Sequence, residues 1–304
     1  MLEAVTLWNE PNNLSHWNRD LDPDWDLFAE MIKRAGHRIG QVAPGLTRVL
    51  GGVSPIDPWF IENLWRKGVG ETVDVVAVHG FPLDWNRWHV HEWPERVRAI
   101  RSISGKPVWA TEVGVSSLVS EELQVWGLDQ TLEVLLPVVE RVYWYALMDL
   151  PKSWEAVTRH RESEGSAYFR HFFMGVLDED GRPKRSAEQL RAWAGRGVGV
   201  CEWVYWQEGI RLERMVQGLR DLGIRRVRTG IGWADWERAG DAPAWFDGVM
   251  DALSDFDVTL TLCFTPAHRG LTPHHASPPE DLTHFADFCE AVVSRYAPRA
   301  VALV

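Results

Sequence analysis

Ala4-Val5-Thr6-Leu7-Trp8-Asn9-Glu10-Pro11-Asn12 is a short β-rich run that stops at a glutamate set between an asparagine and a proline. Pro11 fixes its own φ and biases Glu10 away from the α region, so the carboxylate leaves the strand end at a defined angle. A second run of the same design, Val108-Trp109-Ala110-Thr111-Glu112-Val113-Gly114, again ends in a glutamate, with a glycine opening the next loop. Outward from strand runs 4–8 and 107–111, further β-rich runs stand at 48–53, 73–78, 141–147, 198–204, 226–230, 258–264 and 300–304. Between them lie amphipathic runs at 25–42, 58–67, 92–102, 124–136, 187–194, 210–222, 244–254 and 282–296. This alternation predicts a parallel sheet whose strands are joined by crossover helices.

At 304 residues the chain suits a single α/β domain, a (β/α)8 TIM barrel, better than two ordinary domains. The strand runs number nine where a barrel needs eight, and the last resembles the first: Arg299-Ala300-Val301-Ala302-Leu303-Val304 against Glu3-Ala4-Val5-Thr6-Leu7-Trp8. A tandem duplication trimmed at its outer ends leaves such an overlap and starts the chain in mid-barrel. The expectation is one domain over 1–304 with no Pro/Gly/Ser-rich linker and its tightest joint at 194–199. Only one copy of the repeated strand fits one slot. The other is left frayed or pairs with a second chain, which makes strand exchange at the termini a route to a homo-oligomer.

Composition narrows the function. The chain is 45% apolar and 25% charged, as soluble globular proteins are, and no apolar run approaches the roughly 18 residues of a membrane span. Met1 leads almost at once into a strand, without the charged and apolar regions of a secretory leader, so a cytoplasmic location is expected. Cys201, Cys263 and Cys289 are odd in number and widely spaced, which argues against a disulfide framework and gives no metal signature. A net charge of −11 disfavours nucleic acid, whose recognition depends on Lys and Arg neutralising phosphates. The 18 tryptophans are the outlier: buried bulk is one use for them, and exposed indole faces for the C–H faces of sugars are another.

A single strand-end glutamate is most often a loop salt bridge. Two, separated by two intervening strands, share the rim of a barrel where catalytic groups gather, and two carboxyl groups about 5–5.5 Å apart there suit double displacement at an anomeric carbon. With Leu7-Trp8-Asn9-Glu10-Pro11-Asn12 and Thr111-Glu112, the sequence resembles clan A glycoside hydrolases, in particular the branch of β-xylosidases and α-iduronidases. The resemblance extends to Val75-Val76-Ala77-Val78-His79-Gly80-Phe81-Pro82 for the clan's sixth strand and Tyr143-Trp144-Tyr145 for the eighth. The segment 223–233 is similar to its second strand and 260–266 to its third. It implies a retaining glycosidase with Glu10 as acid/base, kept protonated by its surroundings, Glu112 as nucleophile, and Asn9 on the sugar 2-hydroxyl. It also implies a circular permutation, with the clan's strands four to eight in 1–195 and strands one to three plus a repeated strand-four segment in 196–304.

The same resemblance makes Arg228 the guanidinium that holds Glu112 ionised, although a purely structural ion pair is an alternative use. His79 serves as a partner of Glu112, a donor to a sugar hydroxyl, or a satisfied buried histidine. Trp144 is the expected floor of the subsite for the reacting sugar, with Trp203, Trp206 and Trp233 as walls, against core packing for each. His268, His274 and His275 have no metal-ligand spacing and read as solvated loop residues, and no Gly-rich phosphate fingerprint follows any strand, so neither metal nor cofactor is expected. The expected substrate is an oligosaccharide or polysaccharide. A transglycosidase shares every one of these residues, and a non-catalytic carbohydrate-binding or polysaccharide-biosynthesis accessory barrel is the rival from another class.

Overall fold

The strands form a closed ring in chain order: β1 (Leu2–Leu7), β2 (Thr47–Val53), β3 (Val75–Gly80), β4 (Val108–Val113), β5 (Arg141–Tyr145), β6 (Val198–Cys201), β7 (Arg226–Gly232) and β8 (Asp257–Cys263). All neighbours pair in parallel, and β1 closes the ring against both β2 and β8. The computed structural model describes residues 1–83, 89–153, 170–238 and 241–297, so the repeated strand expected at 300–304 lies outside the described residues. The (β/α)8 architecture is the one the alternation of runs predicts.

Helices cover the ring: α1 (Asp26–Val42), α2 (Pro58–Arg66), α3 (Trp93–Ser104), α4 (Glu121–Leu135), α5 (Arg185–Trp193), α6 (Gly209–Asp221), the short α7 (Trp233–Trp236), α8 (Ala242–Ala252) and α9 (Leu282–Tyr296). Their starts follow from local chemistry. Asp57, Ser120 and Asp281 cap α2, α4 and α9 by accepting backbone N–H groups of the first turn. At α1 the buried Asp22 does this from outside the helix, accepting from Leu27 N, Phe28 N and the indole of Trp17 at 3.0–3.1 Å. Helix α9 lies against α1 with Arg38 bonded to Glu290, so the last described helix seals the outside of β1. No helix among the described residues is long and apolar enough to cross a membrane.

Inside the ring, Ala4, Val49, Val75, Ala77, Trp109, Tyr143 and Cys201 pack as one cluster, and the Tyr143 hydroxyl meets Thr259 Oγ1 at 3.0 Å. These residues alternate with outward ones that pack under the helices, which is the period-2 rule for strands applied around a barrel. Strand β6 is shorter than the run 198–204 predicts. Glu202 makes the last backbone bond to β7, its N–H donating to Arg228 O at 2.9 Å, and its carboxylate turns to the backbone N–H of Leu147 and Met148 and to Arg211.

Because β1 occupies the slot between β8 and β2, deletion of residues 299–304 should leave the barrel intact, with unfolding free energy changed by no more than about 0.5 kcal/mol. Urea denaturation of the truncated chain checks this; collapse of the fold would mean that the terminal repeat is a barrel strand.

Candidate active site

The end of β1 departs from strand geometry where the sequence turns polar. Trp8 and Glu10 both adopt left-handed backbone conformations, with φ of 73° and 45°. Such φ values are costly for non-glycine residues and collect at functional sites. The first kink sends the Trp8 indole outward against Trp17 and Phe285, the latter on α9. Asn9 and Glu10 are thereby both delivered to the barrel mouth, where both are buried. The next residues lock the turn: Asn12 accepts from Ser54 N at 2.8 Å and donates to Pro55 O at 3.0 Å, tying the loop to the end of β2.

Glu112 reaches the same mouth by a different device. Strict alternation in β4 turns Trp109 and Thr111 inward and Glu112 outward. The register slips there on both sides: Val78 pairs with Ala110 but His79 with Glu112, and on the far side Ala110 pairs with Val142 but Val113 with Trp144. One extra residue in β4 is a β-bulge, which re-aims a side chain. Thr111 Oγ1 accordingly meets His79 Nε2 at 2.9 Å, while Glu112 also faces inward.

His79 sits between the two carboxylates. Its Nδ1 donates to Glu10 Oε1 at 2.9 Å and lies 3.6 Å from Glu112 Oε2, so its closer partner is Glu10 rather than the expected Glu112. Space for the ring comes from Gly52 on β2, where a Cβ would fall 1.9 Å from His79 Nε2. One oxygen of each glutamate and a ring nitrogen of His79 all lie within 4.8 Å of one another. Among the described residues this is the one His/carboxylate group spaced to hold a cation. Arg228 already supplies positive charge there, so the geometry serves equally as an acid–base pair with its own counter-ion.

Arg228, wholly buried on β7, spans the mouth: Nη1 bonds to Glu112 Oε1 and contacts Cys201 Sγ at 3.1 Å, and Nη2 donates to Asn9 Oδ1 at 2.8 Å. Burial pushes the guanidinium down, but its hydrogen-bonded pairing with the Glu112 carboxylate outweighs that and raises it, so it stays charged. Burial pushes the Cys201 thiol well up, which makes it a neutral contact. At Glu10 burial again opposes ionisation, yet the His79 hydrogen bond and the charges of His16 and His79 outweigh it and hold the carboxyl down at about 2. That direction runs against the expectation that the surroundings keep Glu10 protonated: without a substrate they favour its carboxylate.

The tryptophans divide. Trp203 belongs to the site, with the Arg228 guanidinium 5.9 Å from its ring and its indole laid over Gly230, where a Cβ would fall 1.8 Å away. Trp144 is buried on the outward face of β5, and Trp233 is buried in α7, stacked on Phe288. Trp206 packs on Trp245 and Phe246 of α8. The structure thus does not bring Trp144, Trp206 or Trp233 to the carboxylates. Period 2 turns Tyr145 inward with Tyr143, and Tyr145, not anticipated from sequence, sits where Glu112 bears on it; burial foremost, then the charges of Tyr205 and Glu112, push its hydroxyl well above its ordinary range. Asn13, His16 and Thr111 were also missed, although their nearness to Glu10 and Glu112 in the chain was a signal for them. Of the loop histidines, His268 pairs with Glu237 and His274 stacks on His275, while His275 reaches the loop after Glu10 at Ser15 O, 2.9 Å away.

No protein-family model matches the sequence, and no curated protein matches it. Among solved structures the chain is similar to a GH128 (subgroup II) endo-β-1,3-glucanase from Sorangium cellulosum, at 18% identity and TM-score 0.40 over 62% of this chain and 68% of that one. It is similar to the catalytic domain of a hyperthermophilic chitinase from Pyrococcus furiosus, at 10% identity and TM-score 0.47 over 98% and 97%. It is likewise similar to YagE from E. coli K12, of the dihydrodipicolinic acid synthase family, at 10% identity and TM-score 0.44 over 86% and 70%. Likenesses at this level leave function to the site itself.

Two outcomes follow from the buried charges. Arg228→Leu should cost about 3–5 kcal/mol because it strands the Glu112 carboxylate, and adding Glu112→Gln should recover part of that loss; urea unfolding of the single and double variants measures both. Glu10 is held below its unfolded value of 4.5, so its contribution to stability is present above that pH and is lost as pH falls towards about 2. Glu10→Gln should therefore flatten the acid side of a Tm-against-pH curve, and an unchanged slope would contradict the assignment.

Proposed function

We propose that this chain is a retaining glycoside hydrolase, Glu112 its nucleophile and Glu10 its acid/base, built on a barrel whose strand order is permuted relative to the clan its motifs resemble. The observation that carries the reading is the approach of one Glu10 oxygen and one Glu112 oxygen within 4.8 Å at the strand-end mouth of the barrel. Double displacement uses two carboxyl groups about 5–5.5 Å apart on either side of one anomeric carbon, and oxygens this close are compatible with that arrangement. The surroundings also divide the labour: Glu112 faces a permanent cation, Glu10 a titratable imidazole.

In the first step Glu112 attacks the anomeric carbon while Glu10 protonates the departing oxygen; in the second, Glu10 takes a proton from water as it displaces Glu112. The catalytic proton belongs to the Glu10–His79 pair as a unit. A bound sugar displaces water from the mouth, and desolvation favours the uncharged form of the pair, carboxylic acid with neutral imidazole, over the ion pair. Asn9 has its Oδ1 committed to Arg228, which leaves Nδ2 as the donor to a sugar hydroxyl. Trp203 and Tyr145 provide the aromatic faces, and the substrate is an oligosaccharide or polysaccharide.

A panel of aryl glycosides tests this. Glu112→Gln should abolish turnover, and Glu10→Gln should lower it by about 10²–10⁴-fold, most for poor leaving groups. A 2-deoxy-2-fluoro glycoside of the accepted sugar should leave one adduct, mapped by mass spectrometry to Glu112. Sugar binding with no adduct would favour the accessory-barrel reading, and an adduct released faster by an added sugar than by water would favour transglycosylation.

A further inference from the structure

The loop after Glu10 folds back onto it and closes a ring of directional hydrogen bonds. Asn13 Nδ2 donates to Glu10 Oε2 at 3.0 Å, which presents Asn13 Oδ1 to Ser15. Ser15 Oγ donates to that oxygen at 2.8 Å, so towards His16 Nδ1, also 2.8 Å away, the hydroxyl is left to accept. With that polarity His16 Nδ1 is the donor, and it lies 3.5 Å from Glu10 Oε2, where the ring began. The polarity of every bond in the ring is set by an acceptor at Glu10, that is, by its negative charge.

The ring is also held rigidly. His16 stacks on Phe264, itself in a left-handed backbone conformation at φ 70°, with centroids 5.5 Å apart and planes at 27°. The His16 carbonyl accepts from Trp8 Nε1 at 2.9 Å, and His275 Nε2 meets Ser15 O at 2.9 Å. Unlike His79, which is wholly buried, the His16 side chain is 23% exposed. Among the described residues, the charged and titratable groups around Glu10 are His79 from β3, with Glu112 from β4 on the far side of that ring, Arg228 from β7 and Tyr145 from β5 behind Glu112, and His275 behind Ser15 from the loop after β8.

We propose that His16 is a positioning residue for Glu10, orienting its carboxylate and stabilising its charge from the solvent side as His79 does from within the barrel. This deepens the glycosidase reading and rests on it only in naming Glu10 the acid/base. The coupling makes the charge of the acid/base responsive to solvent pH through a second, accessible imidazole. Coupling between two sites is mutual, so each group reports on the other.

Carboxyl-carbon NMR titration of the whole chain with ¹³C-labelled glutamate tests this, the Glu10 resonance being assigned by its loss in Glu10→Gln. In His16→Gln the Glu10 midpoint should rise by about one pH unit, a tenfold change in proton affinity. In Glu10→Gln the His16 imidazole midpoint should fall by the same amount. His275→Gln, which keeps His16 and the ring, should leave Glu10 where it was. A folded His16→Gln variant with an unmoved Glu10 midpoint overturns the proposal, as does an equal shift in His275→Gln, which would mean general loosening of the loop. A shift in a protein that hydrolyses no glycoside supports the coupling and sinks only the glycosidase reading.

Discussion

One guanidinium joins the mouth of the barrel. Arg228 on β7 reaches Glu112 on β4, Cys201 on β6 and Asn9 beyond the end of β1, so side chains from four parts of the ring meet at a single buried cation. A charge taken wholly out of water costs several kcal/mol, and close, well-aligned partners must offset that cost. The arrangement is correspondingly intolerant. If Glu112 moves outward, Arg228 loses its counter-ion; if Asn9 swings away, one side of the guanidinium goes unpaired. The left-handed turn after β1 and the bulge in β4 are both needed to bring these partners to the same point, so the strain at the mouth and the ion pair support each other.

Much of this was legible in the sequence. The alternation of runs gives the barrel, and the two strand-end glutamates with Asn9, His79 and Arg228 are brought together. What was not legible follows from places where the chain breaks its own period. No sequence rule places an extra residue in β4, yet without it Glu112 points at the helices. Trp144 was chosen for its indole, whereas parity along Tyr143-Trp144-Tyr145 assigns the inward positions to the two tyrosines, and position outranks residue type. Trp233 opens α7 and stacks on Phe288 of α9, and Trp206 follows a strand shorter than its apolar run. The charge state of Glu10 depends on His16, six residues on in its own loop, and on His79 from two strands away, and only the first of these is near it in the sequence.

The two carboxylates differ less in their own chemistry than in what faces them. Glu112 meets a group that cannot lose its proton near neutral pH, and Glu10 meets groups that can. A pair of identical residues thereby acquires two characters without different burial, since both are nearly inaccessible. That asymmetry is written in the second layer, at Arg228, His79, Thr111 and the Asn13-Ser15-His16 loop, rather than in the glutamates.

The place of β1 in the ring also has a meaning in time. Its pairing with β2 joins residues about forty apart, but its pairing with β8 joins Leu7 to Leu262, nearly the whole described length of the chain. Long-range closures carry the largest entropic cost and are made late, after the local β/α units have formed. Glu10 hangs from the strand that completes the circle. Glu10, His79 and Glu112 stand on the half of the ring that runs from β1 to β4, and it is Arg228, on β7, that the closing of the circle brings to Glu112 and Asn9.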